Sequence, residues 1–154
     1  MLIQLLLASA MVLLTVMVHL FGLAILSRLL RSHHRLMRAA RAMPIPLLLG
    51  ASVGIFAIHT VEIWSYATLY LALGNFGRFE EALYFSTVTY ATIGYGDVLM
   101  PAPWRILGAI EGATGVIMLG WSTAFIVSLL AQLNLLRHDW LTPGKAEYGS
   151  AEPE

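Results

Sequence analysis

The sequence predicts an all-α membrane protein with three transmembrane helices and a re-entrant helix and loop between the second and the third. Three observations predict it. Hydrophobic residues make up 58% of the 154 and charged residues only 12%, against about half and a quarter in soluble domains. Long apolar stretches cover residues 1–27, 46–73 and 104–133, each longer than the roughly 20 residues that cross a hydrocarbon core. Residues 74–103 are too short and too polar to cross twice, so they must enter and return on one side. Irregular backbone at membrane depth is tolerated only where protein buries it or where it lines water, so this stretch is a candidate wall of an aqueous path.

Each element follows from local chemistry. The first apolar run is broken only by Gln4, Ser9, Thr15, His19 and Ser27. A secretory signal would carry its positive charge ahead of a shorter run, whereas here the charge follows, which favours a retained helix. Residues 28–43 hold Arg28, Arg31, Arg35, Arg38 and Arg41 with His33 and His34, and no acid. The positive-inside rule makes this linker cytoplasmic and the N-terminus external. Arginines at this spacing superficially suggest a voltage sensor, but a sensor needs them inside the membrane with acidic partners. An interfacial helix resting on anionic lipid suits them better.

Pro44 and Pro46 suit the start of the outer helix, 46–73, where a missing N–H costs nothing. Trp64, Tyr66 and Tyr70 approach its outer end, and Gly74, Asn75 and Gly77 make a turn into an external loop with Arg78, Glu80 and Glu81. The inner helix, 104–133, has Trp104 and Trp140 near its two interfaces and Arg137 and His138 beyond its inner end. Residues 137–154 read as a short cytoplasmic tail, leaving 44–136 as the main domain.

Composition excludes several functions. The net charge is zero, so nothing points to nucleic acid. With no cysteine there is no thiol nucleophile and no thiolate metal site. A membrane enzyme or proton-coupled transporter could use His59, Glu62 and Glu111, but no nucleophile motif, phosphate loop or metal-ligand spacing accompanies them. No cofactor is expected.

The distinctive chemistry lies within 81–97. Residues 81–91 suit a helix of about three turns opened by acids, followed by Thr92-Ile93-Gly94-Tyr95-Gly96-Asp97. Glycines at alternate positions allow positive φ, so successive carbonyls can turn the same way. Four copies would make rings of oxygens able to replace the hydration shell of a cation. A lone Gly-x-Gly usually marks only a tight turn, but this string sits between two spans of the required orientation.

On these residues the chain resembles the potassium channel superfamily: 82–97 is similar to its pore helix and selectivity filter, and 46–133 to its two-helix pore module. The first helix lies outside the resemblance. The resemblance implies a potassium-selective channel, not an enzyme, with K+ as permeant ion on the carbonyls of Thr92, Ile93, Gly94 and Tyr95 and the Thr92 hydroxyl facing an inner cavity. Gly96 completes the filter. One loop per chain supplies a quarter of it, so a homotetramer is expected. The compact form resembles prokaryotic members, which implies a prokaryotic inner membrane with the C-terminus cytoplasmic. A non-selective cation channel would share the architecture but usually loses the tyrosine that stands here as Tyr95.

Other residues take roles by position. Asp97 closes the external mouth, where a carboxylate ring could concentrate cations. Tyr84 and Phe85 stand where the family often has two tryptophans, and Val88 where some members have a glutamate behind the filter; Tyr84 is therefore expected to bond Asp97 instead. Gly115 and Gly120 resemble the gating-hinge glycine and its follower, making Gly115 the hinge candidate, while Gly108 and Gly112 suit close helix packing. Val116, Leu119, Thr123 and Val127 form one stripe, read either as cavity lining or as a lipid or packing face. The ionisable groups within the spans, His59, Glu62 and Glu111, are expected to pair behind the pore, as structural bonds or as a proton-sensitive gate.

Overall fold

The computed structural model describes residues 1–32 and 45–133. Helix α1 spans Leu2–Ser32, α2 Ile45–Ala72, α3 Phe79–Tyr90 and α4 Arg105–Gln132, with a 3-10 turn at Ala102–Trp104 ahead of α4. Stretches within α1, within α2, and from Ala102 to Gln132 are long and apolar enough to cross a membrane. The short α3 lies between the second and third of these spans, and the chain is an all-α integral membrane protein.

Boundaries differ from expectation in instructive ways. The first helix does not end at residue 27 but continues to Ser32, so Arg28 and Arg31 belong to its last turns and not to a separate linker. Arginine and leucine are good helix formers and no Gly or Pro interrupts them. The expectations for Arg35, Arg38, Arg41, Arg137, His138, Trp140 and the tail lie outside the described residues. The pore helix opens at Phe79 rather than 81, because Arg78 is extended (φ −135°, ψ 146°) and its carbonyl accepts the Ala82 N–H at 3.2 Å. Glu80 and Glu81 therefore lie inside the first turn, where carboxylates complement the helix dipole.

Of the aromatic residues toward the outer end of α2, Tyr66 and Tyr70 are fully buried, while Trp64 is exposed. The rings of Tyr70 and Phe85 meet edge to face at 5.6 Å, and Phe76, Ala82 and Leu107 complete that core around α2, α3 and α4. Ala8 and Met11 bring α1 into the same core.

The additional helix is thus an integral part of the bundle. Its contact with α2 is close because each helix offers a glycine to the other's branched side chain. A Cβ on Gly22 would lie 2.6 Å from Ile58, and one on Gly54 would lie 2.6 Å from Leu26. Small residues let membrane helices approach in this way. A second apolar cluster, Leu47, Ala51, Leu129 and Leu133, joins α2 to α4 at the other end of the spans.

Candidate functional site

The loop that follows α3 has an unusual backbone. Thr92, Gly94 and Gly96 have φ of 60°, 58° and 77°, whereas Ile93 and Tyr95 between them do not enter the positive-φ region. Alternating hands in successive residues turn the peptide planes alike, so their carbonyl oxygens share a side instead of alternating as in a strand. A β-branched residue at positive φ costs about 1–2 kcal/mol, and bonds to the pore helix hold Thr92 there. The N–H groups of Thr92, Ile93 and Gly94 donate to the carbonyls of Thr89 (3.0 Å), Val88 (2.9 Å) and Val88 again (3.3 Å). Among the described residues, no hydrogen bond ends on the carbonyl oxygens of Thr92, Ile93, Gly94 or Tyr95. The amides are committed to the helix and the oxygens are left available.

Val88 supports the loop through its backbone carbonyl, while its side chain is buried. Tyr84 meets Asp97 as the sequence suggested, its hydroxyl donating to Oδ2 at 2.7 Å, and the Val98 N–H donates to Oδ1 at 3.0 Å. The Tyr84 bond holds the Asp97 carboxyl below its ordinary value, and the same carboxylate pushes the Tyr84 phenol up. A depressed carboxylate keeps its contribution above the unfolded value and loses it only as pH falls through the lower, folded one. Asp97 should therefore stay ionised across mildly acidic pH. Tyr84→Phe is expected to move acid inhibition of ion flux to higher pH; an unchanged acid profile would show that the bond has no hold on Asp97.

Behind the loop lie two buried polar clusters. In the first, Glu62 of α2 takes one imidazole on each oxygen: His19 Nδ1 of α1 at 2.9 Å from Oε1, and His59 Nδ1 of α2 at 2.9 Å from Oε2. The Tyr90 hydroxyl, at the end of the pore helix, also donates to Oε2. Ser122 Oγ of α4 is 2.9 Å from His59 Nε2 and 3.5 Å from His19 Nε2. In the second cluster, Glu111 of α4 accepts from the Tyr70 hydroxyl at 2.6 Å and from Ser86 of the pore helix. His59 and Glu62 do pair, whereas Glu111 belongs to a separate group.

Sequence reasoning missed His19, Tyr90, Ser122, Ser86 and Tyr70. For His19 a signal existed, since an ionisable side chain inside an apolar span usually faces a polar partner. The serines gave none, because either could have bonded its own helix as Thr15 and Thr114 do, and the tyrosines gave none because an aromatic residue in an apolar span reads equally as packing.

The inner helix rests on the pore helix through its glycines. A Cβ on Gly108 would lie 3.3 Å from the Phe85 ring, one on Gly112 3.4 Å from the Thr89 carbonyl, and one on Gly115 2.2 Å from the Tyr90 carbonyl. At Gly120 nothing lies within 4 Å. Gly115, the hinge candidate, is thus the seat of the pore helix's C-terminal end, a contact that bending there would disturb. Val116, Leu119, Thr123 and Val127 are all exposed, while Glu111, Met118 and Ser122 are buried against the other helices.

Residues 58–132 match the family model described as "Ion channel". No curated protein and no solved structure matches the chain. The matched stretch takes in the C-terminal half of α2, all of α3 and the loop, and α4 to its last residue. A re-entrant helix between two spans, ending in a loop that offers its carbonyls, is the form such a domain requires. Residues 58–132 belong to the ion channel family, in an integral membrane protein whose additional helix α1 packs on that domain.

Proposed function

We propose that the protein is a potassium-selective channel subunit that acts as a homotetramer. One observation carries this reading: positive φ at every second residue from Thr92 to Gly96, with the carbonyls of Thr92, Ile93, Gly94 and Tyr95 unbonded within the chain. Four such loops about an axis would stack oxygen rings suited to a dehydrated K+ ion, with Asp97 at the outer mouth. Ile93 and Tyr95 are 51% and 70% exposed, as expected of side chains that complete their packing against neighbouring copies.

The exposed stripe Val116, Leu119, Thr123 and Val127 then lines the inner cavity, below the Thr92 hydroxyl. Thr123→Cys should be modified by thiol reagents applied from the cytoplasmic side, and protection there would remove the stripe from the cavity. By the positive-inside rule the N-terminus is then external and the C-terminus cytoplasmic, in a prokaryotic inner membrane as the resemblance implies, with anionic lipid at Arg28, Arg31, Arg35, Arg38 and Arg41.

The test is flux through purified protein in liposomes under opposed K+ and Na+ gradients. The expected result is a reversal potential close to that of K+ and block by barium. Equal permeability of Na+ would leave a non-selective cation channel, and crosslinking that stops at dimers would remove the fourfold filter.

A further inference from the structure

We propose that His19, His59 and Glu62 form a binding site for one divalent cation of the zinc class, which fastens the additional helix to the channel domain. The ligand atoms of these three residues lie within 4.8 Å of one another, and all three residues are buried. They come from two helices and converge far from the loop in sequence, so no spacing motif announces them. A tetrahedral zinc holds its ligand atoms about 3.3 Å apart. The two Nδ1–carboxylate separations of 2.9 Å are already close to that, and small ring movements would admit the ion.

The surroundings match a metal centre in two further respects. Both imidazoles turn the same nitrogen, Nδ1, toward Glu62, and both direct Nε2 at Ser122 Oγ. Metal-binding histidines commonly tie back their other ring nitrogen in this way, which fixes the tautomer and the ring plane. Without metal the two Nδ1–H groups donate to the carboxylate; metal binding would displace those protons, each Nδ1 then presenting a lone pair to the cation while Nε2–H donates to Ser122. The Tyr90 hydroxyl, 3.1 Å from His59 Nδ1 and bonded to Glu62, orients the carboxylate and borders the fourth position.

Charge supplies the reason for a cation. Among the described residues no lysine or arginine pairs with Glu62. A carboxylate at this depth is costly without a compensating positive charge. Imidazole and carboxylate together form a donor set that suits Zn2+.

The experiment uses the full chain in detergent, stripped with EDTA, dialysed against Zn2+ and passed through a desalting column; Co2+ serves as the spectroscopic probe. One Zn2+ per chain is expected, with a tetrahedral Co2+ absorption band. Zn2+ at 100-fold excess over Kd should raise Tm by roughly 5–10 °C. His19→Gln keeps a hydrogen-bonding side chain, leaves His33, His34 and His138 in place, and should abolish both the band and the shift. Ser122→Ala should weaken binding roughly 10–100-fold while remaining folded. Wild type retaining no more Zn2+ than His19→Gln, or a Tm that responds to pH and not to Zn2+, overturns the proposal and leaves a cluster held by protons alone. Ion flux is not the readout, so failure here is distinct from failure of the potassium reading.

Discussion

Glu62→Ala is expected to destabilise the protein more than any other single substitution within the spans, by about 3–5 kcal/mol, or roughly 10 °C in Tm. The carboxylate meets three groups on three helices: His19 of α1, His59 of its own α2 and Tyr90 of the pore helix. Removing it takes a partner from all three, leaving His59 Nδ1 and the Tyr90 hydroxyl only each other at 3.1 Å, in a place where water cannot replace the lost bonds, and each buried unpaired group costs about 1–3 kcal/mol. The damage should be uneven. His19 is fully buried, and Glu62 is its close partner at 2.9 Å, so α1 should loosen first and show faster hydrogen exchange than α4. Thermal unfolding in detergent with EDTA present isolates the hydrogen-bond loss from any metal contribution. Glu62→Gln, which keeps one acceptor oxygen, should fall between wild type and alanine. A Tm for Glu62→Ala within a degree or two of wild type would mean that the cluster does not hold the bundle together.

Gly115→Ala should cut ion flux at least tenfold and alter ion selectivity with it. The added methyl would sit 2.2 Å from the Tyr90 carbonyl oxygen and 2.9 Å from its carbon. Both are backbone atoms of a helix end, which cannot turn aside as a side chain can. Overpacking of this kind costs about 1–3 kcal/mol or more, relieved only if the pore helix lifts from α4. Tyr90 is two residues from Thr92, whose positive φ and bond to Thr89 begin the loop, so the displacement passes straight into the carbonyl array. Gly120→Ala is the control. Nothing lies within 4 Å of that site, and alanine is the better helix former by about 0.8–1 kcal/mol, so stability should hold or rise while selectivity stays as it was. Were Gly115→Ala to conduct with unchanged selectivity, the seat would be a loose contact and a hinge at this glycine would regain its place.

Much of the fold was legible because a bilayer imposes strict rules. Three apolar runs, an arginine cluster after the first and a polar interval before the last leave few arrangements, since every backbone group in lipid must find a partner within the protein. The interval itself was legible through Thr92 to Asp97, where alternate glycines state which φ values the chain must reach. Even the bond from Tyr84 to Asp97 could be anticipated, through the resemblance, because Tyr84 stands where the family often has a tryptophan. Helix ends were less readable. Arg28 and Arg31 marked a change in solvent, and the sequence reading mistook it for a change in backbone, although the helix continues beyond both.

What the amino-acid order determined alone was local: which segments are apolar enough to span, which side of them is positive, and which residues can adopt left-handed φ. Tertiary structure decided what depends on helices meeting. It placed His19 against Glu62 across 43 positions, separated Glu111 from that pair, buried Tyr66 and Tyr70 in the core, and set Gly115 under the end of the pore helix. The physical reason is that hydropathy and turn chemistry act on neighbours along the chain. The partner of a buried polar group is chosen by the rotation and depth of another helix, and packing alone fixes those.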